Sequence, residues 1–192
     1  MNVANRCEGR MGLWRRGMGA RGRSGSAAIE FAILAPVLCL FLFGIVETGV
    51  IFFAQSTMQN AAEDAARLVR TGQAQNGNMT KAQYVSYICN EMSGLISSGS
   101  CNANLQVDMQ SFSDFSGASY NNVLKKNGSL NQNNMQYATG GPCDVVLVRA
   151  FYPWTIMTPL MAPLLQNMPN GQHLLTAAEA FRNEPYEASS PC

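Results

Sequence analysis

With 192 residues, 47% of them hydrophobic and only 13% charged, the chain carries about half the roughly 25% charge of an ordinary soluble domain, which excludes a disordered polymer and favours a membrane segment with a modest folded part. The formal net charge of +1 hides an asymmetry: residues 1–25 hold six arginines (Arg6, Arg10, Arg15, Arg16, Arg21 and Arg23) against Glu8, whereas the remainder is net −4. A basic, Gly-rich head placed directly before an apolar run is a topology signal and not a nucleic-acid footprint.

The apolar run begins at Phe31. From Phe31 to Val46 (FAILAPVLCLFLFGIV) there is no charge, and after Glu47 the apolar character resumes to Ala54. As a helix rising about 1.5 Å per residue, residues 31–54 reach about 36 Å, enough to cross a hydrocarbon core of roughly 30 Å with some tilt. The arginine head is expected in the cytoplasm and the rest outside.

Three common export signals do not fit. The apolar tract is too long for a signal peptidase I substrate and lacks a small-x-small site. Cys39 follows Leu38, which is not the small residue a lipoprotein needs, and Arg15-Arg16 is followed by Gly-Met-Gly, which does not suit a twin-arginine signal. A site on the cytoplasmic side remains: Arg23-Ser24-Gly25, then Ser26-Ala27-Ala28-Ile29-Glu30-Phe31. Gly25 leaves extended backbone unobstructed in a protease cleft, and three small residues follow it. Glu30 stands at the hydrocarbon edge, where a carboxylate needs a partner.

This arrangement of basic leader, Gly, Glu at the fifth position and long apolar helix resembles the type IV prepilin processing motif. The resemblance implies cleavage between Gly25 and Ser26 by a membrane aspartyl prepilin peptidase. It also implies that Glu30 pairs with the new amino terminus at Ser26, in the same subunit or a neighbour, to set register.

Three further segments, Ala27–Pro36 (AAIEFAILAP), Phe43–Glu47 (FGIVE) and Asn60–Arg67 (NAAEDAAR), are similar to the signature of the TadE-like family, minor pseudopilins of the tight-adherence (Flp) pilus system. The C-terminal LTAAEAFRNEPY (Leu175–Tyr186) resembles the last strand and tail of that family, while the middle of the chain is unmatched. The family implies a single-pass inner-membrane protein with a periplasmic C-terminal domain. Its implied partners are prepilin peptidase, other pilins and pseudopilins, the inner-membrane assembly platform and the lipid bilayer. A role in adhesion and biofilm formation rests on the same resemblance. Whether such a protein enters the filament or only primes its assembly is left open.

Beyond the membrane the helix is expected to continue to about residue 71, with Pro36 as a kink and Gly72 as a stop behind Arg67 and Arg70. Alanines 61, 62, 65 and 66 form a small-residue face suited to packing against another helix of an assembly. Glu47 is a second membrane-level carboxylate, paired with a basic group in the assembly or lying near the periplasmic headgroups.

A second helix is predicted after a polar linker, capped by Thr80 and presenting Tyr84, Ile88, Met92 and Leu95 at helical spacing. Strands are predicted at Leu105–Phe112, where Leu105, Val107 and Met109 alternate with Gln106, Asp108 and Gln110, and at Val145–Tyr152 and Leu174–Arg182. The expected fold is therefore α+β: a long N-terminal transmembrane helix, then a pilin-like domain of one helix on about three antiparallel strands. The division is a removed leader 1–25, a helix 26–71 spanning the membrane over about 31–54, and a periplasmic domain 72–192. Within that domain Ser113–Pro142, rich in Asn, Gly and Ser, is predicted as a long exposed loop with some order over Tyr120–Lys126. Lys125-Lys126 reads as a solvated pair. The proline-punctuated Pro153–Gly171 is predicted as an apolar loop lying on the sheet, on a partner or on the membrane surface.

Of six cysteines, Cys7 falls in the leader and Cys39 in the membrane. Cys89 and Cys101 bracket a short loop and make the preferred disulfide, leaving Cys143 and Cys192 as a second pair, in a compartment where disulfides persist. No CxxC and a single histidine, His173, argue against zinc, and His173 reads as a rim residue. There is no GxSxG, Walker or dinucleotide loop and no HExxH. Asp108, Asp114 and Asp144 offer an aspartic pair that nothing singles out. No cofactor and no catalytic activity are expected. The competing reading is a signal-anchored periplasmic enzyme or ligand-binding protein, for which Gly25 and Glu30 in this register would have no purpose.

Overall fold

The computed structural model describes residues 23–119, 122–186 and 192. Most of the expected leader, including Cys7 and five of its six arginines, and Tyr120 of the central segment lie outside the described residues. Two compact units divide the chain between Cys39 and Leu40.

Helix α1 runs Arg23–Arg70, with Pro36 inside it and Arg67 and Arg70 in its last turn. Gly72 follows in the left-handed region (φ 76°), which ends the helix without the steric cost any other residue would incur. A short α2 (Gln73–Asn76) leads to α3 (Lys81–Glu91). Thr80 caps α3 through a full capping box: its hydroxyl accepts from the Gln83 N–H, and the Gln83 side chain accepts from the Thr80 N–H. Helix α4 (Ser98–Asn104) precedes three strands, β1 (Gln106–Phe112), β2 (Val145–Thr155) and β3 (Gln172–Arg182), with one more short helix, α5 (Ala162–Leu165), between β2 and β3.

The sheet is an antiparallel meander in the order β1-β2-β3. Its register places Met109 opposite Val148 and Ala150 opposite both Val107 and Ala177, so these side chains share one face. They join a single core with Ile51, Ala54, Met58, Ala61, Ala62, Ala65 and Val69 of α1 and Tyr84, Val85, Ile88 and Met92 from α3 and its end. The α1 residues recur every three or four positions, the stripe that an amphipathic helix buries.

Three expectations change here. The alanine face of α1 packs inside its own domain, with Ala61, Ala62, Ala65 and Ala66 all buried, instead of awaiting a neighbouring helix. Small side chains at these positions let the helix backbone approach the sheet closely. Ile51 and Ala54, assigned from hydropathy to the membrane span, are buried in the same core, since hydropathy does not distinguish lipid from a protein interior. On the other side of the helix Phe52 and Phe53 remain 70% and 61% exposed, so the apolar surface continues there.

The third concerns Ser113–Pro142, which is not uniformly exposed. Gln136–Ala138 runs beside β1: the Met109 N–H donates to Gln136 O and the Ala138 N–H to Met109 O, both at 2.9 Å. Tyr137 stacks edge-on against Tyr84 and donates its hydroxyl to Met79 O, while Val123 is buried. Asp108 and Gln110, polar in the period-2 pattern and expected outward, are consequently covered. Asp108 is satisfied by the Gln136 N–H, the Gln110 amide and the Arg149 guanidinium directly opposite in register. Arg149 also lies over the Phe151 ring, 5.6 Å from its centroid.

The free margin of β3 meets α1. The Gln55 side chain pairs with the backbone of Thr176 at both ends, accepting from its N–H and donating to its carbonyl, and Gln59 reaches Glu179. After β3 the chain turns back to the helix end: the Glu184 N–H donates to Arg70 O, and its carboxylate pairs with the Arg70 guanidinium.

Candidate functional site

The expected processing junction lies in the first turns of α1. Gly25 has open space where a Cβ would stand, and residues 25–30 are exposed. Glu30 accepts a hydrogen bond from the Ser26 hydroxyl at 3.1 Å, one turn earlier. Gly25, Ser26 and Glu30 thus occupy one accessible stretch, followed by a helix surface on which Phe31, Ile33, Leu34, Val37, Leu38, Phe41 and Leu42 are all exposed. Among the described residues one helix, Gly25–Arg70, is long and apolar enough to cross a membrane. Cys39 is exposed on it as a free thiol.

Glu47 has a partner that neither sequence expectation named. It is 2% exposed and accepts three hydrogen bonds: from the Met157 N–H and the Thr158 N–H, each at 3.0 Å, and from the Thr158 hydroxyl at 2.9 Å. No basic side chain takes part in these bonds; main-chain donors of the β2–β3 connection replace it. A carboxylate can satisfy two adjacent N–H groups with its two oxygens, as at a helix N-terminus, and the short helical turn Pro159–Met161 begins just beyond. The only sequence hint was a buried acid in a greasy helix and an unassigned Thr-Pro loop 110 residues later.

The first three residues of the apolar Pro153–Gly171 stretch continue β2; beyond them the connection packs against α1, and its Leu165 also touches the core. A Cβ on Gly44 would come within 2.7 Å of the Met161 methyl group, so the methionine tip lies directly on the glycine and would have to swing aside for any larger residue. Leu40, Phe41, Gly44, Ile45 and Thr48 of the helix and Met161 and Leu164 of the loop line an apolar cleft of about 450 Å³. The Thr48 hydroxyl is turned inward onto Gly44 O at 2.8 Å, leaving the cleft wall apolar. At the base of the loop, His173 Nδ1 lies 2.6 Å from Leu165 O, so this rim histidine ties loop to strand.

The four remaining cysteines form two bonds. Cys89–Cys101 joins α3 to α4 across 12 residues, and Cys143–Cys192 ties the last residue to the turn before β2. The three aspartates once considered as a pair are committed separately. Asp108 holds Arg149, and Asp144 accepts from the Gly141 N–H at 2.7 Å. Asp114 closes an exposed turn, where the Ser116 hydroxyl and Gly117 N–H hold its carboxyl below the usual carboxylate range. Burial pushes the phenols of Tyr84 and Tyr137 upward, which keeps both neutral and suits packing better than acid–base chemistry. Among the described residues no three His, Cys, Asp or Glu side chains gather to hold a metal ion.

No curated protein and no solved structure matches the chain. The family model described as TadE-like protein matches residues 25–67. The match takes in the Gly25–Ser26 junction, Glu30, Glu47 and the alanine stripe, and it ends before the C-terminal stretch 175–186, which stands here as most of β3 and the tail behind it. Over residues 25–67, from that junction almost to the end of α1, the chain is similar to TadE-like proteins.

Proposed function

We propose that this chain is a pseudopilin, or minor pilin, needed to assemble a tight-adherence (Flp) pilus. In this reading residues 1–25 are a cytoplasmic leader removed by a prepilin peptidase after Gly25. The lower part of α1 then stays in the inner membrane as a single span, and residues 72–192 form a periplasmic domain. The basic leader supports that orientation through the positive-inside rule. Glu30 is the register carboxylate, meeting the amino group freed at Ser26 in this subunit or a neighbour. Other pilins, pseudopilins and the inner-membrane platform engage the exposed apolar helix.

The observation that carries the reading is the coincidence of three features on one helix. The TadE-like match opens at Gly25, Glu30 stands five residues beyond the junction, and the residues that follow present an uninterrupted apolar surface. A plain anchor needs the apolar surface but neither Gly25 nor Glu30.

The test is N-terminal sequencing of the membrane-associated protein from cells with and without the prepilin peptidase. The expected terminus is Ser26 with the peptidase and Met1 without it. Gly25→Ala should block maturation, whereas Glu30→Ala should permit cleavage and impair piliation. A Met1 terminus in peptidase-positive cells, or a cut beyond residue 47, would overturn the reading.

A further inference from the structure

The Pro153–Gly171 connection carries no charge; it buries Trp154, Ile156 and Met168 but exposes three large apolar side chains, Met157 at 64%, Leu160 at 74% and Leu164 at 76%. Those values match the lipid-side candidates on α1, where Phe41 is 68% and Ile45 67% exposed. We propose that this loop enters the bilayer beside α1, with Met157, Leu160 and Leu164 and the cleft lined by Phe41, Ile45 and Met161 in contact with phospholipid acyl chains. The proposal rests on the reading of α1 as a bilayer-spanning helix.

Depth is the first argument. A hydrocarbon core takes about 20 helical residues, so a span opening at Phe31 closes near Val50. The helix positions against which the loop packs, Leu40 to Thr48, fall inside that interval. At about 1.5 Å per residue, Leu40 lies on the order of 10 Å below Thr48, the depth reached by apolar faces seated at the headgroup–acyl boundary.

Backbone chemistry is the second. Irregular chain at that depth is tolerated only when its polar groups find partners within the protein. The loop meets part of this demand from within the protein. The Met157 and Thr158 N–H groups go to Glu47, and Pro159 and Pro163 have no N–H to satisfy. The Met161 N–H donates to Thr158 O at 2.9 Å, Ala162 to Pro159 O, and Gln166 to Ala162 O at 2.8 Å. A buried carboxylate that takes two main-chain donors suits a depth where water is not available to them. The polar residues gather at the other end: Gln166, Asn167, Asn170, Gln172 and His173 follow the apolar tip, at the base where headgroups would lie. The lipid surface, continuous with the exposed helix, is therefore favoured over a second protein chain as the occupant.

The test uses the full chain, with Cys7 and Cys39 replaced by alanine, reconstituted into phosphatidylethanolamine/phosphatidylglycerol vesicles. Single probes are placed by Leu164→Cys and independently by Leu160→Cys, each labelled with an environment-sensitive NBD group without reduction of the disulfides. Val37→Cys on the helix and Leu124→Cys on the distant 113–142 segment serve as references. Acyl-chain-spin-labelled lipid is expected to quench residues 164 and 160 within about twofold of residue 37, and to leave residue 124 unquenched. Quenching at 37 with aqueous emission at 164 and 160 would overturn the proposal while leaving the membrane-spanning helix intact. Absence of quenching at 37 as well would overturn the spanning reading itself, and the loop proposal with it. Blue-shifted, unquenched emission at 164 that disappears on dilution with excess lipid would assign the surface to a second copy and overturn the proposal equally.

Discussion

Replacing Glu47 by alanine removes both oxygens that hold the tip of the β2–β3 connection. The Met157 and Thr158 N–H groups and the Thr158 hydroxyl lose their acceptors at 3.0, 3.0 and 2.9 Å. Hydrogen bonds to a carboxylate contribute about 1.5–3 kcal/mol each, but three that share one group are not additive, and a loop that lifts away regains solvent or lipid-headgroup partners. A net cost of about 3 kcal/mol for holding the loop closed follows, equivalent to roughly a 150-fold rise in its open population. Glu47→Gln keeps one acceptor and turns an NH2 toward existing donors, so its effect should be smaller, on the order of tenfold. The assay is amide hydrogen exchange, read at Met157 and Thr158 in the full chain in detergent micelles. The global unfolding midpoint should move little, because the clamp sits at the margin of the core and opens locally. If protection of both amides in Glu47→Ala stayed within about threefold of the parent, the clamp would not be what holds the loop.

Three other outcomes follow from the same structure. The double substitution Cys89→Ala/Cys101→Ala, which frees a loop of sequence separation 12, should cost about 3 kcal/mol by the loop-entropy relation, seen as a lower urea midpoint. Asp108→Ala removes the carboxylate paired with the buried Arg149 guanidinium and should cost about 3 kcal/mol, whereas Asp108→Leu/Arg149→Met should be much milder in the same measurement. Ala65→Leu forces about three extra carbon atoms between α1 and the sheet and should cost about 1–3 kcal/mol in thermal unfolding; an unchanged midpoint would show that the fully buried Ala65 is not in a close-packed site.

Much of the head is legible from residue patterns because its signals are local. Thr80 with Gln83 three positions on is a capping box on paper and in space. Val107 and Met109 alternate into the core as their period demands. The failures are all long-range. Alternation sends Asp108 and Gln110 to water, and nothing in the β1 residues reveals that Gln136–Ala138 returns to cover them or that Arg149 arrives opposite. The Ala61–Ala66 face reads equally well as an interface with another helix or with the chain's own sheet, since both demand small side chains. Glu47 announces that it needs donors but not that they lie 110 residues ahead in a loop with prolines. The Gly25–Ser26 junction and Glu30 are the converse case. They are conspicuous in sequence as a glycine, three small residues and a carboxylate between a basic head and an apolar run, and the folded helix adds little beyond their accessibility.

The way Gln55 grips Thr176 has a bearing on how this protein can be crowded with copies of itself. A three-stranded sheet has two raw margins, and each is an invitation to cross-chain strand addition and fibrillar growth. Here one margin is met at its midpoint by Gln136–Ala138 and the other by a glutamine side chain imitating a neighbouring strand. Packed at high density in a membrane or a polymer, such subunits would have to break those bonds before zipping together sheet to sheet. Any self-association would thereby be steered away from the nearly irreversible main-chain seams of amyloid.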